Sequence, residues 1–133
     1  MTPDEIMQAI TDACPGTHVD TTTPDYFFFN DPERKFPFAT IVTRDTAFDH
    51  VSQLDRPSAF RLNLGLGRAT FRERFPEASS EPFDFTTFDR LMPHPLYAKM
   101  YWICVLNPTR ATFEALRPLL ADAYEASRVR YGG

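Results

Sequence analysis

The chain has 133 residues, 43% of them hydrophobic and 24% charged, a composition that suits one globular domain rather than a disordered, collagenous or membrane-spanning chain. Eighteen acids against fourteen bases leave a formal charge of −4, which argues against a general nucleic-acid coat or a binder of anionic membranes, because both need a positive field. Thirteen Phe, five Tyr and one Trp are an ample aromatic supply for a core that needs no staples.

The charge is unevenly spread. Residues 1–33 hold seven acids and no base, and residues 56–76 hold five Arg and one Glu, so a local basic surface is compatible with the acidic total. Cys14 and Cys104 lie far apart, with no Cys-x-x-Cys pair and no His at ligand spacing. They read as free, buried thiols in a reducing compartment, and no metal or cofactor is implied. The opening Met1-Thr2-Pro3-Asp4-Glu5 is acidic and lacks the apolar run of a signal peptide, and no window reaches the length of a spanning helix, so the expected address is the cytoplasm.

In chain order, Thr2-Pro3-Asp4-Glu5 combines a capping box with Pro at the first helical position, and Ile6, Ala9, Ile10 and Ala13 follow at helical spacing, which predicts an amphipathic helix ending at Cys14-Pro15-Gly16. Thr17–Thr21 and Tyr26–Phe29 read as a hairpin, and Phe38–Thr43 as a third strand. The polar stretch Arg44–Pro57, with Asp45, Asp49 and Asp55, reads as a long connection. Phe60–Leu64 is a strand whose alternation puts Phe60, Leu62 and Leu64 on one face and Arg61 and Asn63 on the other. Gly65-Leu66-Gly67 turns into a short helix over Arg68–Phe75, with Phe71 and Phe75 on its buried side. Residues 77–98 read as a Phe-rich wrapping loop with a short helix around Thr87–Leu91. Met100–Leu106 is the most apolar strand, and a helix carrying Leu116, Leu119, Leu120, Ala123 and Tyr124 closes the chain, with Pro118 marking its first turn or a kink.

This order predicts a single α+β domain over 1–133: two layers, a largely antiparallel sheet of about five strands, and helices on one face. One layer of helices cannot cover both faces of Tyr101–Leu106. The second face therefore needs the 77–98 segment, a second subunit or a ligand.

Several constellations bear on function. Gly65-Leu66-Gly67-Arg68 precedes a helix as a phosphate-binding turn would, but Thr70 replaces the third glycine of a dinucleotide fingerprint, and the ordinary reading is a tight strand-to-helix turn. Arg61 and Asn63, with Arg56, Arg68, Arg72 and Arg74 near them in sequence, could line an anion-binding or nucleic-acid surface; the plainer reading of Arg68 and Arg72 is the solvated face of a helix. His94, held between Pro93 and Pro95, is the one candidate for acid–base work, with Tyr97 and Trp102 as wall and polar handle, yet no nucleophile accompanies it. Asp45, Asp49, His50 and Asp55 match no metal-binding order and read as loop charge.

The runs Phe36-Pro37-Phe38-Ala39-Thr40-Ile41-Val42-Thr43, Leu54-Asp55-Arg56-Pro57 and Phe60-Arg61-Leu62-Asn63-Leu64-Gly65, continued by His94-Pro95-x-Tyr97, Trp102 and Val105-Leu106-Asn107-Pro108, resemble a domain-of-unknown-function family of small, mostly bacterial proteins. With the opening helix that ends in Pro-Gly and a closing helix that ends in a Tyr-containing turn, the resemblance covers most of the chain. More distantly, the layout is similar to MmcQ/YjbR-like proteins. That similarity implies a two-layer double-wing fold with an antiparallel sheet, often labelled DNA-binding from its shape, and it brings no catalytic residue.

The expected function is a non-enzymatic binding module, recognising a small ligand or a protein partner, a second copy included, through the sheet face and the His94 loop. Arg61, Asn63, Arg68, His94, Tyr97 and Trp102 are the candidate contacts. The alternatives are a DNA-binding or regulatory module using Arg56, Arg68, Arg72 and Arg74, and a small enzyme with His94 as its base.

Overall fold

The computed structural model of the chain describes residues 1–76 and 82–129. The opening helix α1 spans Pro3–Ala13, and its capping box is complete: Thr2 Oγ1 accepts from the Glu5 amide at 3.2 Å, and Glu5 Oε1 accepts from the Thr2 amide at 2.8 Å. Strands β1 (His18–Asp20) and β2 (Tyr26–Phe29) form the expected hairpin, followed by β3 (Ala39–Val42), β4 (Arg61–Gly65) and the short helix α2 (Arg68–Arg74). A two-residue strand β5 (Met92–Pro93) and a 3₁₀ turn over Ala98–Met100 precede β6 (Trp102–Leu106), and α3 (Arg110–Ser127) closes the chain.

The six strands make one sheet, order β1-β2-β3-β4-β6-β5, with every neighbouring pair antiparallel. This is the expected α+β architecture with one strand more than anticipated. The extra strand is too short for alternation to reveal, and it sits at the sheet edge, where Pro93 costs no interior ladder bond. The helix expected over Thr87–Leu91 is absent. Asp84 instead accepts from the Thr86 amide and hydroxyl, a local turn that competes with a helix. Beyond it Phe88 bridges to Leu106, with Asp89 at φ 61°. Pro118 does not mark a first turn: α3 starts at Arg110, capped by Thr109, and runs through Pro118. Residues 77–81 of the wrapping loop and the terminal Tyr131 turn lie outside the described residues.

Alternation sorts the central strands onto two faces. Leu62, Leu64, Ile103 and Val105 point into the main core with Ile6 and Ile10 of α1 and Phe113, Leu116 and Leu120 of α3. On the opposite face, Cys104 and Leu106 pack with Met92 of β5 and with Leu54 and Ala59 of the connection between β3 and β4. Both cysteines are buried and free, one in each cluster.

The N-cap of helix α2 is Gly67, which has no side chain to cap it. Asp122 of α3 takes over that role. One carboxylate oxygen accepts from the Gly67 amide at 2.8 Å and the other from the Thr70 hydroxyl at 2.8 Å. The turn that resembled a phosphate site is thus filled by the protein's own carboxylate, which ties α2 to α3. Asp122→Ala is expected to lower stability by about 1–2 kcal/mol, the usual loss for an N-cap oxygen, as measured by urea denaturation.

Candidate functional site

Register brings the polar residues of the second face together. Thr40 of β3 lies opposite Asn63 of β4, Val42 opposite Arg61, and Gly65 opposite Trp102 of β6. Phe27 of β2 extends the Thr40–Asn63 row. The β3–β4 connection and the approach to β5 cover one part of this face. The remainder is a cavity of about 460 Å³ between the strands, the Phe36-Pro37-Phe38 segment, the His94–Met100 loop and the end of α3 at Ser127.

Arg61 is the organising side chain. It is 0% exposed in a central strand, and a guanidinium in such a place needs both a counterion and acceptors. Asp49 supplies the counterion, bridging both terminal nitrogens: Nη1 donates to Oδ1 at 3.0 Å and Nη2 donates to Oδ2. Nη1 also donates to Ser52 Oγ at 2.9 Å, and Nε donates to Asn63 Oδ1 at 2.8 Å. Asn63 in turn donates through Nδ2 to Thr40 Oγ1 at 2.9 Å.

The connection carrying Asp49 is itself held by carboxylates. Asp45 accepts from the Leu54 amide, and Asp55 accepts from the Asp45 amide. These acids close turns and hold Asp49 in place. Among the described residues, no group of three His, Cys, Asp or Glu side chains is placed to hold a metal.

His94 completes the cluster. Its Nδ1 accepts two backbone N–H groups, from Leu96 at 3.0 Å and Tyr97 at 3.1 Å. This network assigns the imidazole proton to Nε2, which lies 3.3 Å from Arg61 Nη2. Burial, reinforced by the Arg61 cation and only partly offset by Asp49, pulls its pKa from 6.5 down to about 3. Such a group is neutral near pH 7, with its one lone pair already engaged. It acts as a hydrogen-bond donor, a poor starting point for the general-base role considered from sequence. Tyr97 lies against the imidazole at 4.9 Å between ring centroids, and Trp102 meets it edge-on at 6.3 Å.

Trp102 owes its position to Gly65. A Cβ at residue 65 would stand 2.7 Å from Trp102 Cε2, so the indole lies across the strand only because the facing residue has no side chain.

Five of the six candidate contacts, Arg61, Asn63, His94, Tyr97 and Trp102, therefore line one cavity. Arg68 does not. It is exposed at the start of α2, in the helical layer with Arg72 and Arg74. Arg56 is separate again: its guanidinium donates to the Gln53, Ser52 and Thr86 carbonyls and lies over Phe88 at 4.6 Å. The four arginines of the nucleic-acid alternative are thus divided between the connection beside the second face and the helix layer. Sequence reasoning missed Asp49, Ser52, Thr40, Phe27 and Ser127. The one usable signal was Arg61 at an interior strand position, which demands a carboxylate without saying which acid supplies it.

The displaced pKa of His94 has a signed consequence. Because the folded value, about 3, lies below the ordinary 6.5, the unfolded chain takes up a proton first as pH falls. The stability His94 contributes is complete above pH 6.5 and is lost between there and pH 3. His94→Asn, whose carbonyl can accept the same backbone N–H groups, is expected to flatten stability across the upper part of this window, where the native protein loses up to about 1.4 kcal/mol per pH unit. Urea denaturation of both proteins at a series of pH values measures the difference.

No curated protein and no solved structure matches the chain. Among the described residues, no helix is long and apolar enough to cross a membrane. One family profile matches, the Family of unknown function (DUF6194), over residues 1–132. The chain accordingly belongs to the DUF6194 family.

Proposed function

We propose that this domain is a non-catalytic binding module that takes a small molecule in the cavity on the second sheet face, between the Arg61 network and the His94 loop. The observation that carries the reading is the cavity itself. Its volume of about 460 Å³ lies within the range of small-molecule sites, roughly 300–1,000 Å³, and such sites pair apolar walls with a few placed polar groups. Phe27, Val42 and Trp102 provide walls, and Asn63, Thr40 and His94 provide polar groups. A neutral His94, with no nucleophile hydrogen-bonded to it among the described residues, favours binding over turnover.

The division of Arg56 from Arg68, Arg72 and Arg74 weakens the nucleic-acid alternative, which needs one continuous basic surface. Two buried free thiols suit a reducing compartment such as the cytoplasm. The distant kinship with MmcQ/YjbR-like proteins belongs to the same proposal and rests on element order, with an opening helix, a late His-bearing loop, a Trp strand and a last helix.

A thermal-shift panel of small metabolites and short duplex DNA tests the reading, repeated on Val42→Trp, which fills the cavity from β3. A ligand near a hundred times its Kd is expected to stabilise the native protein by about 2.7 kcal/mol, and that shift is expected to vanish in the folded variant. Stabilisation by DNA alone, falling steeply with salt, would contradict the proposal.

A further inference from the structure

We infer that the cavity takes a neutral, ring-bearing molecule whose polar groups are hydrogen-bond acceptors, such as carbonyl or ether oxygens; this rests on the binding role proposed above. Apolar and aromatic side chains, among them Phe27, Phe38, Val42, Met100 and Trp102, form much of the wall, and flat rings pack well between such faces. At about 30 Å³ of liquid per water, a space of about 460 Å³ has room for a molecule with on the order of fifteen non-hydrogen atoms.

The charges of the floor are already matched. Arg61 and Asp49 neutralise each other through two contacts, and His94 is neutral near pH 7. A charged ligand would find the floor's cation and its carboxylate already paired with each other.

Hydrogen-bond capacity gives the sharper constraint. Each acceptor of the floor already takes a hydrogen bond from the protein: Asp49 and Asn63 Oδ1 from Arg61, Thr40 Oγ1 from Asn63, and His94 Nδ1, with its single lone pair, from two backbone amides. Donors remain. His94 Nε2–H faces another donor, Arg61 Nη2, at 3.3 Å, so neither satisfies the other. The Thr40 hydroxyl proton and the Trp102 indole N–H have no acceptor among the described residues. Ser127, 5% exposed and lining the same cavity, has a buried hydroxyl with no partner among the described residues. A buried polar group left open, as the Ser127 hydroxyl is, marks where a ligand's atoms belong, and together with the half-buried Thr40 and Trp102 donors it suits oxygen acceptors.

Four naphthalene probes separate the possibilities by calorimetry: acetylnaphthalene, which is neutral and bears a carbonyl; ethylnaphthalene, which lacks it; naphthoate; and naphthylmethylammonium. The single Trp gives one indole N–H resonance as an independent readout. Acetylnaphthalene is expected to bind about tenfold more tightly than the other three and to move that resonance. Trp102→Phe, with Ser127→Ala as a second variant, is expected to reduce this preference while ethylnaphthalene still binds. Tighter binding of naphthoate or of the ammonium probe would overturn the ligand class and leave the cavity's binding role standing. If no probe produces heat or moves the indole resonance, both readings fall.

Discussion

A guanidinium buried in the middle of a β-sheet is the constraint from which much of the second face follows. Arg61 occupies a strand position where Val42 and Leu106 are its cross-strand neighbours, and it reaches no solvent. Leaving such a cation unpaired would cost several kcal/mol, so the surrounding chain is arranged to answer it. The β3–β4 connection folds over the sheet and delivers Asp49 and Ser52, while Asn63 and His94 flank the remaining edges. An apolar residue in the same place would give a comparably stable sheet. The ion pair is better understood as fixing where the connection sits and leaving a polar floor beneath the space it does not cover.

That incomplete cover links the fold to the proposed binding role. The helices supply one complete core layer, and the two long connections seal only the Cys104–Leu106 side of the other face. Toward Gly65 and Trp102 the sheet stays open as a cavity, with the Phe36-Pro37-Phe38 segment and the end of α3 as its far walls. Two small features hold this geometry. Gly65 lets the indole lie across the strand, and the His94 side chain, by accepting the Leu96 and Tyr97 amides, sets the turn that carries Tyr97 over the imidazole.

Much of the architecture was legible in the sequence because its signals are local. The Thr2–Glu5 capping box, the alternation through Arg61–Gly65 and the period of Leu116–Ala123 each depend on residues within a turn or two of one another. The imbalance between one helical layer and a strand apolar on both faces drew attention to the second face, part of which the structure leaves as a cavity. What escaped notice depends on long-range contacts. Asp49 reads as loop charge until the sheet places it against Arg61, and Thr40 and Phe27 gain meaning only through a register that no local pattern specifies. Arg68 seemed to belong with Arg61 because the two are close in sequence, but Gly65–Gly67 turns the chain out of the sheet and into the helical layer between them. At Phe88 a propensity for helix lost to pairing beside Leu106.

Side-chain exchange at Arg61 tests the central claim most directly, since everything at the site presumes that its guanidinium is buried and held. The account predicts a distinct Arg61 Nε–H resonance in the nuclear magnetic resonance spectrum, protected by its bond to Asn63 and exchanging with solvent far more slowly than the Nε–H groups of exposed Arg68 and Arg72. An Arg61 resonance that exchanges as fast as those surface arginines would show that the ion pair with Asp49 does not persist in solution, and would contradict the structure of the floor on which the cavity rests.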